Sequence, residues 1–259
     1  MSRTFFLGRA SGLHALHPLT KLTLAAAVVW VGFLAHSPLV PLGLFAFVIV
    51  PFAAFGRIAG SLLRVTLAIL ILLGLSLVIV QGLFYPGATR VLLPLGPFAL
   101  KEEGLVFAFG TLSRIMLLTG AGLLLLFSTH PGDLMLALTQ RGLPSSLAYI
   151  VVTALQLIPQ MQARAAAIVD AQRSRGLETD GSLLLRLRGV IPLLGPLVIG
   201  AIADVDERAM ALEARAFARP GPKTSYKWLA DTRAQRLARY SLLIAALVLG
   251  ALEIAGVGL

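Results

Sequence analysis

Two arginines close two long alanine-rich stretches, and their positions indicate a docking chemistry. A guanidinium presents a rigid fork of donors that can bind carboxylates or backbone carbonyls on another molecule. An arginine in a last helical turn also interacts favourably with the helix dipole, so a capping role is the plainer interpretation of either one alone. Two matched endings favour a shared binding role. The stretches are residues 144–176 and 190–219, and the endings are Ser174-Arg175-Gly176 and Ala214-Arg215-Ala216.

Four carboxylates in the second stretch offer a different chemistry, the divalent-metal site of a membrane enzyme. They are Asp204, Asp206, Glu207 and Glu213. Successive residues of a helix are about 100° apart, so Asp204 and Asp206 point to nearly opposite faces and only Glu207 lies beside Asp204. Asp204 and Arg208 are four residues apart and are expected to pair. Ion pairs are the favoured interpretation, and an integral membrane enzyme with a cytoplasmic carboxylate site is the alternative.

The sequence lacks the phosphate-binding loop that an ATPase needs. That motif is G-x-x-x-x-G-K-[ST], and none of the four lysines follows a glycine. His14 and His17 are three apart but have no third metal ligand beside them. We therefore expect a non-catalytic chain with no cofactor and no metal.

Both stretches have helical periodicity. Apolar residues recur at helical spacing over 147–158, and Pro159 is expected to kink the first helix. The alanines that follow are strong helix formers and permit close approach of another helix. Gly176 is placed to be the left-handed residue that ends the first helix. Arg164 lies away from the helix end and is expected to be an ordinary solvated charge.

The composition indicates the environment of these helices. Of the 259 residues, 58% are hydrophobic and 13% are charged, whereas a soluble domain has about 25% charged residues. The fold class predicted is an all-α polytopic membrane protein with about five transmembrane helices plus long cytoplasmic coupling helices. The predicted spans are 19–35, 39–55, 62–83, 104–127 and 240–259. This gives a four-span membrane domain at 1–128, a cytoplasmic coupling-helix region at 129–239, and a last transmembrane helix at 240–259.

The basic residues predict the orientation in the membrane. Segments 1–21, 57–64 and 130–239 contain 19 of the 22 lysines and arginines, and the 84–103 loop contains 2. Because basic residues concentrate on the cytoplasmic side, the N-terminus and 130–239 are predicted to be cytoplasmic and the C-terminus external. Lys21 is expected to reach toward the headgroups, and Arg114, inside a span, is expected to face protein. A nucleic-acid partner has no support, since no RNA-binding platform or zinc finger accompanies the charge.

Several motifs, in their order and spacing, resemble one family along nearly the whole chain. They are His14-Ala15-Leu16-His17-Pro18-Leu19-Thr20-Lys21, Thr129-His130-Pro131-Gly132-Asp133-Leu134, Arg141-Gly142-Leu143-Pro144, the two arginine endings, and Lys223-Thr224-Ser225-Tyr226. The chain resembles the transmembrane (T) component of energy-coupling factor transporters of the EcfT, CbiQ and BioN type. These are vitamin and metal-ion importers of the ATP-binding cassette class.

The resemblance implies a mechanical role in the plasma membrane. In that family two long coupling helices cross, and the arginine motif at the end of each helix docks in a groove on one of two ATPase subunits. The implied docking residues are Arg175 with Ser174 and Gly176, and Arg215 with Ala214 and Ala216. The family pattern is Ala-Arg-Gly, so Ser174 and Ala216 depart from it, and His17 stands where aspartate is more common. The implied partners are two ABC ATPase subunits, a small membrane-embedded substrate-binding (S) component, and the lipid bilayer.

The apolar halves of the two stretches are candidates for the surface that holds the S component. They are residues 151–158 and 191–202. The same helical spacing is expected of an internal packing face, so both interpretations of these residues stay open.

Overall fold

The computed structural model describes residues 12–86, 90–95, 98–176, 183–219, 221 and 225–255. Its elements are α1 Gly12–Ala15, α2 Pro18–Leu34, α3 Leu39–Leu44, a π-helical turn Phe45–Ile49, α4 Val50–Phe55, α5 Ala59–Phe84, β1 Val91–Leu95, β2 Phe98–Lys101, α6 Glu102–Ser128, α7 Pro131–Thr139, α8 Ser145–Arg173, α9 Leu183–Ala214 and α10 Arg233–Ile254. Two compact units are present. Unit 1 comprises Arg3–Leu143 and Leu229–Leu259, and unit 2 is Pro144–Trp228, apart from the extreme N-terminal residues.

The predicted all-α membrane fold is confirmed. Within the described residues, α5, α6 and α10 are each long and apolar enough to cross a membrane. Two shorter apolar stretches, Pro18–Leu34 and Leu39–Phe55, occupy the positions of the first two predicted spans. The predicted 84–103 loop differs, because part of it forms an antiparallel hairpin of β1 and β2.

The second apolar stretch is helical throughout but changes its winding. Between α3 and α4 the N–H of Val50 donates to the carbonyl of Phe45, as in a π-helical turn. Pro51 follows directly and has no N–H to continue a regular ladder. The turn buries Phe45 and Ile49 against α6, where a Cβ on Gly120 would lie 2.5 Å from the Phe45 ring. Gly120 is therefore required for this close contact.

Helices α2 and α6 each supply a cation to the other's C-terminal end. The Lys21 ammonium, in α2, donates to the Ser128 carbonyl at 2.7 Å, and the Arg114 guanidinium, in α6, donates to the Ala35 carbonyl at 2.9 Å. Carbonyls at a helix end lack intrahelical partners and carry the negative end of the dipole, so both bonds are favourable. Arg114 faces protein, as expected. Lys21 is only 5% exposed, so the expectation that it reaches toward the headgroups was wrong.

Helix α10 packs against α2. A Cβ on Gly250 would lie 2.9 Å from both Trp30 and Leu34, so the absence of a side chain allows the approach. Near the other end of α2, the buried Arg239 of α10 donates to the Thr20 hydroxyl at 3.3 Å. Beyond the end of α2, His36 contacts the buried Glu253 carboxylate at 2.9 Å. The last span is thereby fixed to the first at both ends.

Two histidines begin helices in unit 1. The Nδ1 atom of His17 accepts the N–H of Leu19 at the start of α2, and Nδ1 of His130 accepts the N–H of Gly132 at the start of α7. An N-cap side chain satisfies one of the unpaired donors of the first turn. His17 therefore serves as the N-cap of α2, at a position where the family that this chain resembles more often has aspartate.

We expect the folded protein to lose stability in mild acid because of His17. Burial lowers the pKa of His17 below its ordinary value of 6.5, against the nearby Asp231 carboxylate, which raises it. Below 6.5 the unfolded chain gains a proton at His17 that the folded chain resists, so stability falls as the pH drops through 6.5. An aspartate cap does not titrate there. The midpoint of thermal unfolding in detergent should therefore drop less for His17→Asp than for the wild type between about pH 7.5 and about pH 5.5.

His14→Asn provides the control for this comparison, since His14 lies outside the cap. Its pH dependence should match that of the wild type. An identical loss of stability in the wild type and in His17→Asp would show that His17 does not carry the effect.

Candidate functional site

Helices α8 and α9 of unit 2 run antiparallel and are joined by polar side chains. The Arg164 guanidinium contacts both carboxylate oxygens of Asp204, with Nη1–Oδ2 at 2.9 Å and Nη2–Oδ1 at 3.0 Å. One turn along, Arg208 donates to the Gln160 side chain at 2.8 Å. The bond from Arg164 holds the pKa of the Asp204 carboxyl below its ordinary value. These contacts fix the register of the two helices.

This pairing corrects two expectations. Arg164 is a partner in an interhelical ion pair rather than an ordinary solvated charge. Asp204 hydrogen-bonds Arg164 and not Arg208. Glycine makes room for the pair, since a Cβ on Gly200 would lie 3.0 Å from the Arg164 Nη1 atom.

The first arginine ending is a tight left-handed turn. α8 continues through Pro159 to Arg173. Gly176 has φ +88°, and its N–H donates to the Arg173 carbonyl at 3.0 Å. The Ser174 hydroxyl bonds back to the Asp170 carbonyl at 3.1 Å, so the serine that departs from the family pattern is accommodated within the last turn. The left-handed conformation predicted for Gly176 at the end of this helix is thus confirmed.

The second ending forms the same turn without glycine. Ala216 has φ +52°, a conformation that costs an alanine about 1 kcal/mol or more. Its N–H donates to the Glu213 carbonyl at 2.8 Å, and the N–H of Phe217 donates to the Leu212 carbonyl at 2.9 Å. This is the paired bond pattern of a Schellman motif. The glycine missing from the family pattern is therefore not required for the turn to form.

An aromatic contact supports this strained turn. The Phe217 ring packs on Tyr149 near the start of α8, with centroids 5.4 Å apart. Such pairs contribute about 0.5 to 1.5 kcal/mol beyond their buried area, which is comparable to the backbone cost at Ala216. Sequence reasoning missed this contact because the two residues are far apart in the chain.

The two arginines lie at opposite ends of the helix pair. Phe217 places the Arg215 turn beside the start of α8, whereas Arg175 follows the end of that 29-residue helix. At about 1.5 Å per residue, the two turns are on the order of 40 Å apart. A single small ligand cannot contact both arginines, but two separate protein surfaces can.

Both guanidiniums are available for such contacts. Arg175 and Arg215 are exposed, and in the described ranges neither has a side-chain hydrogen bond or ion pair. Arg141 provides an internal comparison, because it also precedes a left-handed glycine, Gly142 at φ +105°, yet it is bonded to Asp231. The same turn thus presents an ion-paired arginine in unit 1. In unit 2 it presents two arginines whose side chains have no partner among the described residues.

Unit 2 also exposes apolar side chains along both helices. On α8, Ile150 and Ile158 are 60% and 59% exposed, and on α9 Ile199 and Ile202 are 70% and 58% exposed. Residues 194–202 and 151–158 therefore present much of the apolar surface expected from the sequence. The side chains of residues 191–193 lie outside those described.

The carboxylates of α9 do not assemble into a metal site. Asp204 is bonded to Arg164, while Asp206, Glu207 and Glu213 are exposed. Among the described residues, no group of three or more histidine, cysteine, aspartate or glutamate side chains could hold a metal ion. The enzyme alternative gains nothing from this geometry.

Comparisons with known proteins agree with these observations. The family model described as "CbiQ: Cobalt transport protein" matches residues 9–226. Several curated relatives carry the name energy-coupling factor transporter transmembrane protein EcfT. The protein from Listeria innocua is 31% identical over 88% of this chain and 91% of its own length. That from Lacticaseibacillus paracasei is 29% identical over 90% and 91%. That from Leuconostoc gelidum is 31% identical over 64% and 65%, so the match spans about two thirds of that relative.

Proposed function

Because this chain belongs to the CbiQ family and is a transmembrane component of energy-coupling factor transporters, we propose that it couples ATP hydrolysis by two separate ATPase subunits to uptake through an S component. The proposed docking residues are Arg175, flanked by Ser174 and Gly176, and Arg215, flanked by Ala214 and Ala216. The chain itself is the non-catalytic member of the complex.

One observation carries the proposal: two exposed arginine turns lie on the order of 40 Å apart on one antiparallel helix pair. Each guanidinium can donate two parallel hydrogen bonds to a carboxylate or to backbone carbonyls. A pair of identical or related ATPases would present two such acceptor surfaces. The Arg164–Asp204 pair between the helices allows motion at one turn to be transmitted to the other.

The proposed mechanism is mechanical. ATP closes the ATPase pair, the docked arginines move with the two subunits, and the crossing angle of α8 and α9 changes. The exposed apolar residues 151–158 and 194–202 hold the S component, which reorients in the membrane as the helices move. Burial of this apolar surface would drive the association. The cargo is a vitamin or a metal ion, and the S component selects it.

A reconstitution experiment tests this function. The purified chain should bind no ATP, whereas co-expression with a pair of ABC ATPases and an S component should yield a complex that hydrolyses ATP and drives uptake in vesicles. Nucleotide binding by the chain alone would overturn the proposal. So would undiminished uptake without the ATPases.

We propose that the chain spans the plasma membrane, with its N-terminus and unit 2 on the cytoplasmic side. A reporter inserted near Gly181 should be cytoplasmic and one fused after Leu259 extracytoplasmic, because 19 of 22 basic residues lie in the segments assigned to the cytoplasm. Alkaline phosphatase and a fluorescent protein, each fused in turn at both sites, would report on which side of the membrane each site lies. Both reporters on one side would mean that an even number of spans lies between the two sites, which contradicts the single span proposed there.

A further inference from the structure

A half-buried carboxylate in unit 1 contacts arginines from two distant parts of the chain. Asp231 lies just before α10, and its Oδ2 atom contacts Arg239 at 2.6 Å and Arg141 at 2.5 Å. A third arginine, Arg236, lies at 3.7 Å. The Asp231 side chain is 14% exposed, whereas those of Arg141 and Arg236 are 44% and 52% exposed. We call these four residues the Asp231 cluster.

The cluster is anchored on one side and open on the other. Arg239 is buried, with 7% of its side chain exposed, and it also donates to Thr20 of α2. Arg141 arrives from the end of α7 and keeps 44% of its side chain exposed. Hydrogen bonds from Arg239 first, and then from Arg141, lower the pKa of Asp231 to about 2 although burial opposes them. The carboxylate is therefore charged throughout the physiological range, and its bonds to arginine are charge-assisted.

The position of the cluster in the chain gives it a mechanical meaning. Unit 2 begins at Pro144 and ends at Trp228. Arg141 stands just before the first of these residues and Asp231 just after the second. The two places where the backbone leaves unit 1 and returns to it are thus joined by one ion pair.

The segment carrying Arg141 is itself held in a fixed shape. Gly142 has φ +105°, its N–H donates to the Thr139 carbonyl, and the N–H of Leu143 donates to the Leu138 carbonyl at 3.1 Å. On the other side, Thr232 caps α10 by accepting the N–H of Gln235, whose side chain in turn accepts the N–H of His17. Hydrogen bonds therefore hold the chain next to both members of the pair, around Arg141 and just after Asp231.

We infer that the Arg141–Asp231 pair is a clamp that makes the two connections of unit 2 act as one base, so that force applied to unit 2 reaches the membrane helices. This inference rests on the proposed coupling function and adds a positioning role to it. Without the clamp the two connections move separately, and displacement of unit 2 is absorbed where the backbone leaves unit 1. Docking of the ATPases does not need the clamp, since the arginine turns lie within unit 2.

The test compares Arg141→Gln with Arg236→Gln in the complete complex. Both changes remove one positive charge beside the same carboxylate. Arg236 lies in α10, close in the chain to Asp231, so only Arg141→Gln disconnects the two segments. We expect Arg141→Gln to retain the ATPases and ATP hydrolysis while uptake per ATP hydrolysed falls about tenfold. Arg236→Gln should keep the wild-type ratio.

The conservative variant Arg141→Lys guards against a simple folding defect. A lysine keeps one ion-pair contact, so most of the uptake per ATP should return. An unchanged ratio in Arg141→Gln, an equal loss in Arg236→Gln, or loss of the ATPases from Arg141→Gln would each overturn the clamp. If the wild-type chain itself fails to retain ATPases, the proposed function fails first, which is a separate result.

Discussion

Changing both Arg175 and Arg215 to alanine should abolish retention of the ATPase subunits and uptake, while leaving membrane insertion intact. Truncating one buried charged partner at an interface commonly costs about 2 to 5 kcal/mol. Two sites on one scaffold act at a high effective concentration, so either single variant should retain part of the binding and the double variant almost none. The measurements are co-purification of the ATPases and uptake at matched expression.

Two other arginines provide matched controls for that experiment. Arg173 lies in the last turn of α8, close to Arg175, and Arg219 follows the second turn, close to Arg215. Each alanine variant removes the same charge from the same helix end, and each should cost less than about 1 kcal/mol of binding. If Arg173→Ala were as damaging as Arg175→Ala, or if the double variant kept its ATPases, the arginine endings would be helix caps only.

A proline at position 216 should disrupt the arginine turn that presents Arg215 and leave the turn at Arg175 intact. Ala216 has φ +52° and donates its N–H to the Glu213 carbonyl. Proline fixes φ near −65° and has no N–H, so the turn that presents Arg215 cannot form. Ala216→Pro should therefore reduce ATPase retention as much as Arg215→Ala does. Combined with Arg175→Ala, it should remove retention altogether.

Replacing Ala216 with glycine should instead stabilise the turn. Ala216→Gly relieves a left-handed alanine, for which the expected gain is about 1 kcal/mol in the local stability of the turn. Hydrogen exchange of the amides at positions 216 and 217, which donate the two hydrogen bonds of the turn, would measure it. Faster exchange in Ala216→Gly than in the wild type would contradict the assigned strain.

The two arginine turns were partly predictable from the sequence. Gly176 indicated a left-handed residue after α8, because glycine adopts positive φ without a steric cost. Ala216 gave no such signal, since alanine favours continuing a helix. Phe217 beside this turn contacts Tyr149, and a local pattern cannot reveal a contact between residues so far apart in the chain.

The membrane helices were predictable for a different reason. Long apolar runs identify α5 and α6 within a few residues, because hydrocarbon demands an uninterrupted apolar helix. The ion pairs were not predictable. Asp204 had an apparent partner four residues away in Arg208, but Arg164 of the facing helix binds it instead. Asp231 and Arg141 lie on either side of unit 2 in the sequence, and only the fold brings them together.

The arginines of this chain fall into two groups, those with a carboxylate partner in the fold and those without one among the described residues. Arg164 joins α8 to α9 and Arg141 joins the two connections of unit 2, and both have carboxylate partners in the fold. Arg175 and Arg215 have none among the described residues. Arginine variants should accordingly separate into those that lose coupling or stability and those that lose the ATPases.

Site-specific photo-cross-linking tests the central claim most directly. A photoreactive residue placed at Ser174 or at Ala214 leaves both arginines in place, and both positions are exposed. In membranes that contain the complete transporter, illumination should link an ATPase subunit to each position. The same residue at Ala203, exposed in the middle of α9, should link none. Active uptake with no ATPase linked from either position, or with equal linkage from Ala203, would contradict docking at the two arginine turns.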